Sequence, residues 1–109
     1  MSANDVEHEV VVYWRPGCPF CWRLRRALRR HRLATREVNI WTDPDAAAVV
    51  RSIAAGNETV PTVVVGDLAM VNPTASEVID AVRSRAPQLL GQQAADRGWW
   101  SALRGSARP

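Results

Sequence analysis

The chain has two cysteines, Cys18 and Cys21, and both fall in one Cys-x-x-C. The pair sits where two kinds of sequence meet. Before it, Val10-Val11-Val12-Tyr13-Trp14 is a β-branched and aromatic run of the sort that makes a buried strand. After it the pattern is helical. Arg15-Pro16-Gly17 breaks the strand, and Pro19 suits the first turn of a helix, where its missing N–H costs nothing. Phe20, Leu24, Ala27, Leu28 and Leu33 then recur near helical spacing. The spacing predicts an amphipathic helix over residues 19–32, with Cys18 just before its first turn.

The other elements follow from punctuation and period. Thr35–Ile40 alternates as a second strand, with Val38 and Ile40 on one face. Thr42-Asp43-Pro44-Asp45 supplies a helix cap and a first-turn proline. Ala46–Ala55 is a short helix with Val49, Val50 and Ile53 as its apolar residues, stopped by Gly56-Asn57. Thr62–Val65 and Leu68–Val71 read as a hairpin about Gly66-Asp67. Asn72-Pro73-Thr74 opens a last helix over 74–86, with Val78, Ile79 and Val82 as its stripe. The order is βαβαββα. Its first βαβ requires a parallel pair with a right-handed crossover. An α/β fold with a mixed four-stranded sheet and three flanking helices is expected over residues 9–86. Residues 1–8 read as a flexible lead. Residues 87–109 read as a partly disordered tail whose Trp99-Trp100 docks on the domain, stays mobile, touches a membrane surface or binds a partner.

Length and composition narrow the class. At 109 residues the chain is one domain. Its longest apolar runs are a few residues, far below the ~20 of a membrane-spanning helix. The N-terminal stretch Met1–Glu9 is polar and acidic and lacks a signal-peptide pattern, so a cytoplasmic location is expected. Two cysteines are too few for a disulfide-stapled scaffold. A structural zinc site takes four ligands, and His8 and His31 lack the spacing to join the pair. A Cys18–Cys21 bridge closes too small a loop to constrain the unfolded chain. Chemistry is the better explanation of the pair. Every basic residue is arginine, and Arg23, Arg25, Arg26, Arg29, Arg30 and Arg32 follow the cysteines. Interleaved aromatics and a nucleic-acid reading motif are missing, so the cluster reads as a solvated helix face and no nucleic-acid partner is expected.

The position of Cys18 has a chemical logic. At a helix start, unpaired N–H groups and the helix dipole favour negative charge, which suits the nucleophilic thiolate form of cysteine. Arg15 and Arg23 add nearby positive charge. Cys21 lies one turn on, on the same side, placed to attack a mixed disulfide on Cys18 and release its substrate. Thr59-Val60-Pro61-Thr62 is the second element. A proline directly before a strand reads as a rigid turn, either cis or trans, that offers the Val60 N–H and C=O to an extended thiol peptide.

From about Val10 to Arg85 these residues resemble a glutaredoxin, a branch of the thioredoxin-fold superfamily. The resemblance rests on Tyr13-Trp14-Arg15-Pro16-Gly17-Cys18-Pro19-Phe20-Cys21, then Thr59-Val60-Pro61, then Gly66. It implies a thiol-disulfide oxidoreductase with a nucleophilic Cys18, a resolving Cys21 and a cis Pro61. It implies a cation at Arg15, and a substrate surface of Arg15, Pro19, Phe20, Thr59, Val60, Pro61 and Thr74 is expected. Gly56-Asn57-Glu58-Thr59-Val60-Pro61-Thr62-Val63 and Asn72-Pro73-Thr74 are similar to actinobacterial mycoredoxins. That implies reduction of protein–mycothiol mixed disulfides, with a small thiol as co-substrate, an NADPH-dependent reductase behind it and no bound cofactor or metal. A monomer without integral membrane association is expected.

Glutathione-using members carry a Gly-Gly-x-Asp-Asp-like turn where this chain has Val71-Asn72-Pro73-Thr74-Ala75-Ser76-Glu77. Thr74 and Ser76 either hold a ligand or cap the helix. Trp14 and Trp22 flank the cysteines and read as packing, and His31 reads as a helix-end cation. Glu58 reads as a loop charge or a contact for a substrate amine. Three rival readings stand beside the first. One is a redoxin recharged by thioredoxin reductase that donates electrons to ribonucleotide reductase. Another is a dimer holding zinc or an iron–sulfur cluster through Cys18 and Cys21. The last is a non-enzymatic adaptor working through its tail.

Overall fold

The structure, a computed structural model, describes residues 9–90. Its elements run in the expected order: β1 (Val10–Trp14), α1 (Pro19–Arg30), β2 (Arg36–Asn39), α2 (Pro44–Ile53), β3 (Thr62–Val65), β4 (Leu68–Val71) and α3 (Ala75–Arg85). The sheet order is β2-β1-β3-β4. β1 pairs parallel with β2, Tyr13 opposite Val38, and antiparallel with β3, Val12 opposite Val63. β3 and β4 form the antiparallel hairpin. β1 is therefore bonded on both sides. Its burial explains the unbroken apolar run Val10-Val11-Val12.

Alternation along β1 divides the core. Val10 and Val12 join Val63 and Val65 under Leu24 and Leu28 of α1 and Val78 and Val82 of α3. Tyr13 and Val38 pack instead with Ala46, Ala47 and Val50 of α2, alongside Ile40, Val60 and Cys21. The helix ends are locally encoded. Asp43 Oδ1 accepts the Ala46 N–H at 3.1 Å and starts α2. Thr74 Oγ1 accepts the Glu77 N–H at 3.1 Å while Glu77 Oε1 accepts the Thr74 N–H at 2.8 Å, a full capping box on α3.

The buried stripes differ from the expected ones in detail. Phe20 is 58% exposed, and Cys21 takes its place on the inner side of α1. In α2 the stripe is Ala46, Ala47 and Val50, and Val49 faces outward. Val50 of the expected stripe is fully buried and Ile53 half-buried, and Ala46 and Ala47 join the buried side in place of Val49. In α3 Ala81 is buried and Ile79 only partly so. α1 ends at Arg30, before the expected residue 32, because Arg32 turns left-handed at φ 57°. The Leu33 N–H then closes on the Leu28 carbonyl at 3.1 Å. The packed body also runs beyond residue 86. A helical turn covers 87–90, and Leu89 and Leu90 pack on the α1–α3 core. The remaining tail, Trp99 and Trp100 included, and residues 1–8 lie outside the described residues. Among the described residues no helix is long and apolar enough to cross a membrane.

Leu28 is 1% exposed at the centre of the α1–α3 core. Leu28→Ala is expected to lower unfolding free energy by about 2–5 kcal/mol in urea titration. Phe20→Ala is expected to stay within about 0.5 kcal/mol, as an exposed position does.

Candidate active site

The turn after β1 delivers Cys18 to the start of α1. Gly17 makes this possible with φ 80°, a backbone state that side chains with a Cβ resist. Cys18 is the N-cap of α1, and its Sγ accepts the Cys21 N–H at 3.2 Å. Sulfur thus occupies the place usually held by a Ser, Thr or Asp oxygen. The Trp22 N–H closes onto the Cys18 carbonyl at 3.0 Å. Across the site the Cys18 thiol donates to the Val60 carbonyl at 3.8 Å, 42 positions away in sequence. The Val60–Pro61 peptide is cis. Thr62 Oγ1 donates to the Thr59 carbonyl at 2.7 Å and the Asn72 N–H to the Pro61 carbonyl at 2.7 Å. These bonds fix the 59–62 turn against β3 and the β4–α3 turn.

The two sulfurs differ. Both cysteines are free thiols. Cys18 is half-buried, whereas Cys21 is 1% exposed. Burial pushes the Cys21 thiol up to about 12, helped by its hydrogen bond with Cys18 and opposed by the Arg15 backbone.

A groove of about 600 Å³ opens over Cys18. Arg15, Pro19, Phe20, Thr59 and Val60 all line it, so it gathers every expected substrate-binding residue except Pro61 and Thr74. Pro61 is buried beneath. Thr74 caps α3 and lines a neighbouring groove of about 330 Å³ with Arg23. Phe20 and Asn72 border both grooves. Asn57 and Asn72 are lining residues that sequence reasoning did not single out. Asn72 carried a readable signal, since asparagine before proline tolerates its left-handed φ of 53°.

The other singled-out residues have structural work. Arg25 stacks on Trp14 at 4.0 Å and bonds Glu37 at 3.0 Å, tying α1 to β1 and β2. Arg29 reaches the same carboxylate at 2.9 Å. Glu58 pairs with Arg51 at 2.6 Å and also lines the groove over Cys18. His31 is the C-cap of α1. Trp22, 57% exposed, lies under Arg26 at 5.1 Å, and Trp41 is exposed. Among the described residues no three His, Cys, Asp or Glu side chains form a metal-ligating group.

A mixed β2-β1-β3-β4 sheet with a Cys-x-x-C at the first helix and a cis-proline turn facing it defines the thioredoxin-like class. The sequence profile of the glutaredoxin family matches residues 10–69. Rv3198A of Mycobacterium tuberculosis, which carries a provisional glutaredoxin name, is 41% identical over 70 residues, 63% of this chain and 83% of that one. The NrdH-redoxin of Escherichia coli, described as glutaredoxin-like, superimposes with a TM-score of 0.51 at 28% identity, over 58% of this chain and 80% of that one. A glutaredoxin of Archaeoglobus fulgidus shares the fold with a TM-score of 0.57 at 23% identity, over 71% of this chain and 88% of that one. The chain belongs to the glutaredoxin family.

The difference between the sulfurs is measurable. Mass spectrometry after brief iodoacetamide treatment at neutral pH is expected to place the first label on Cys18. Labelling of Cys21 is expected to lag and to rise about tenfold per pH unit through the alkaline range, since the thiolate is the reactive form.

Proposed function

We propose that this protein is a cytoplasmic dithiol oxidoreductase that reduces mixed disulfides between proteins and a small thiol, mycothiol in preference to glutathione. The observation that carries the reading is the setting of Cys18 Sγ. It is half-buried at a helix N-terminus, bonded to the Cys21 N–H and facing the Val60 carbonyl from the floor of an open groove. The affinity for mycothiol is supported by the mycobacterial relatives and by the absence of a Gly-Gly-x-Asp-Asp-like turn before α3.

The Cys18 thiolate attacks the small-thiol sulfur of the mixed disulfide. A new S–S bond forms, the old one breaks, and the protein leaves as a thiolate that takes a proton from water. Arg15, Phe20, Thr59 and Val60 hold the small thiol, now disulfide-bonded to Cys18. Two routes regenerate the enzyme. In one, a second small thiol, as thiolate, attacks that bond and leaves as the symmetric disulfide. An NADPH-dependent reductase then reduces it. In the other, Cys21 loses its proton and attacks Cys18, expelling the small thiolate and leaving a Cys18–Cys21 disulfide for an external reductant. The second route requires the buried Cys21 to give up its proton.

The resemblance to NrdH-redoxin, whose description records a thioredoxin-like activity profile, favours a second reading. There the Cys18–Cys21 disulfide is recharged directly by thioredoxin reductase. A coupled NADPH assay separates the two. Turnover is expected with mycothiol and its reductase and to be at least tenfold slower with thioredoxin reductase alone; efficient turnover without any small thiol would favour the second reading. Cys18→Ser is expected to abolish reduction, and Cys21→Ser to retain part of it. Normal activity in Cys18→Ser would end the mechanism.

A further inference from the structure

The groove over Cys18 is already large enough for a tripeptide-sized or disaccharide-sized thiol, since small-ligand sites run about 300–1,000 Å³. The site continues past it. Phe20 and Asn72 form a saddle, beyond which the second groove runs between α1 and the β4–α3 turn. Its floor is apolar, made by Leu24, Ala27, Pro73 and Ala75, and the one charged residue lining it is Arg23.

Arg23 is placed to meet a ligand. Its guanidinium lies over the Phe20 ring at 5.9 Å, on the saddle itself. Arg26 follows one turn on. Among the described residues neither Arg23, Arg26 nor Arg15 makes a salt bridge. The nearby carboxylates are engaged. Glu58 is paired with Arg51, and Glu77 is turned onto the Thr74 N–H and lines a separate groove with Asp80. Glu58 lines the inner groove but is charge-paired, so among the described residues the unpaired charges lining the trough are Arg15 and Arg23, with an apolar floor in its outer half.

We propose that this outer groove takes the protein half of the substrate: an extended segment with an acidic residue close to its cysteine. The carboxylate meets Arg23, and an apolar neighbour rests on Leu24, Ala27 and Pro73. The inference rests on the reading of Cys18 as the attacking sulfur, and it assigns a substrate-selecting role to Arg23.

The test uses the full-length protein and synthetic cysteine peptides disulfide-bonded to 2-mercaptoethanol, so that the small half is neutral. One peptide carries two aspartates just before the cysteine, one carries them just after, and matched peptides carry asparagine or lysine instead. Each rate is divided by the same protein's rate on the disulfide of 2-mercaptoethanol. The expected result is a preference of about 3- to 5-fold for aspartate over asparagine on one side of the cysteine only, the gain of one exposed ion pair. Arg23→Glu is expected to reverse it and Arg23→Lys to keep most of it. Equal rates for acidic and basic peptides would overturn the proposal. So would a preference of equal size on both sides, which is general steering, or one that survives Arg23→Glu. Each of these outcomes leaves turnover intact, whereas a failure of the Cys18 reading appears as turnover that persists in Cys18→Ser.

Discussion

A helix that starts at a fixed point needs an acceptor for its first backbone N–H groups, and in α1 that acceptor is sulfur. Serine or aspartate would cap the helix as well or better. A sulfur cap is the poorer acceptor while it carries its proton and a much better one once it is charged. The atom that caps α1 is thus the same sulfur that the proposed mechanism uses as nucleophile. Gly17 sets the turn that aims it, and the Cys21 N–H three residues on is both structural donor and neighbour of the reactive atom. The start of α1 and the proposed chemistry thus share one contact.

That contact holds only if α1 is fixed over the sheet. β1 supplies the frame by pairing on both edges, and its alternating side chains feed two clusters. Leu24 and Leu28 seat the middle of α1 in one of them, while Cys21 at its first turn belongs to the other. α1 therefore crosses from one cluster to the other where the cysteines stand. Arg25 pins the crossing, stacked on Trp14 of β1 and bonded to Glu37 of β2. The arginine-rich run after the cysteines, uniform in composition, is thus divided by geometry. Arg25 and Arg29 share one carboxylate and hold the helix. Arg23 and Arg26 lie over exposed aromatic rings and keep their charge available.

Element order, strand pairing and the cysteine pair at the helix start were legible because each is written locally. Glycine, proline and capping residues mark the ends, and period marks the type. The closeness of Val60 to Cys18 was legible through family resemblance, since no local rule spans 42 positions. What stayed hidden depends on tertiary neighbours. The inward turn of Cys21 in place of Phe20 follows from which stripe of α1 meets the sheet, and both residues fit a helical pattern. The burial of Ala46 and Ala47 escaped hydrophobicity because alanine carries little apolar signal and the side of α2 that meets the sheet is set by tertiary packing. The Arg51–Glu58 and Arg25–Glu37 pairs join separate elements and leave no periodic trace. The turn at 87–90 shares the composition of the tail, and only the packing of Leu89 and Leu90 on the α1–α3 core sets it apart.

The burial of Cys21 bears on how the two proposed regeneration routes compete. In the free dithiol, desolvation makes the neutral Cys21 thiol the stable form, and its hydrogen bond with Cys18 strengthens that preference. An attack on Cys18 must first remove a proton from a site with almost no solvent. A small thiol arriving through the open groove ionises in water and meets no such barrier. In the proposed cycle the intramolecular route therefore depends on deprotonating a buried sulfur, whereas the small-thiol route does not.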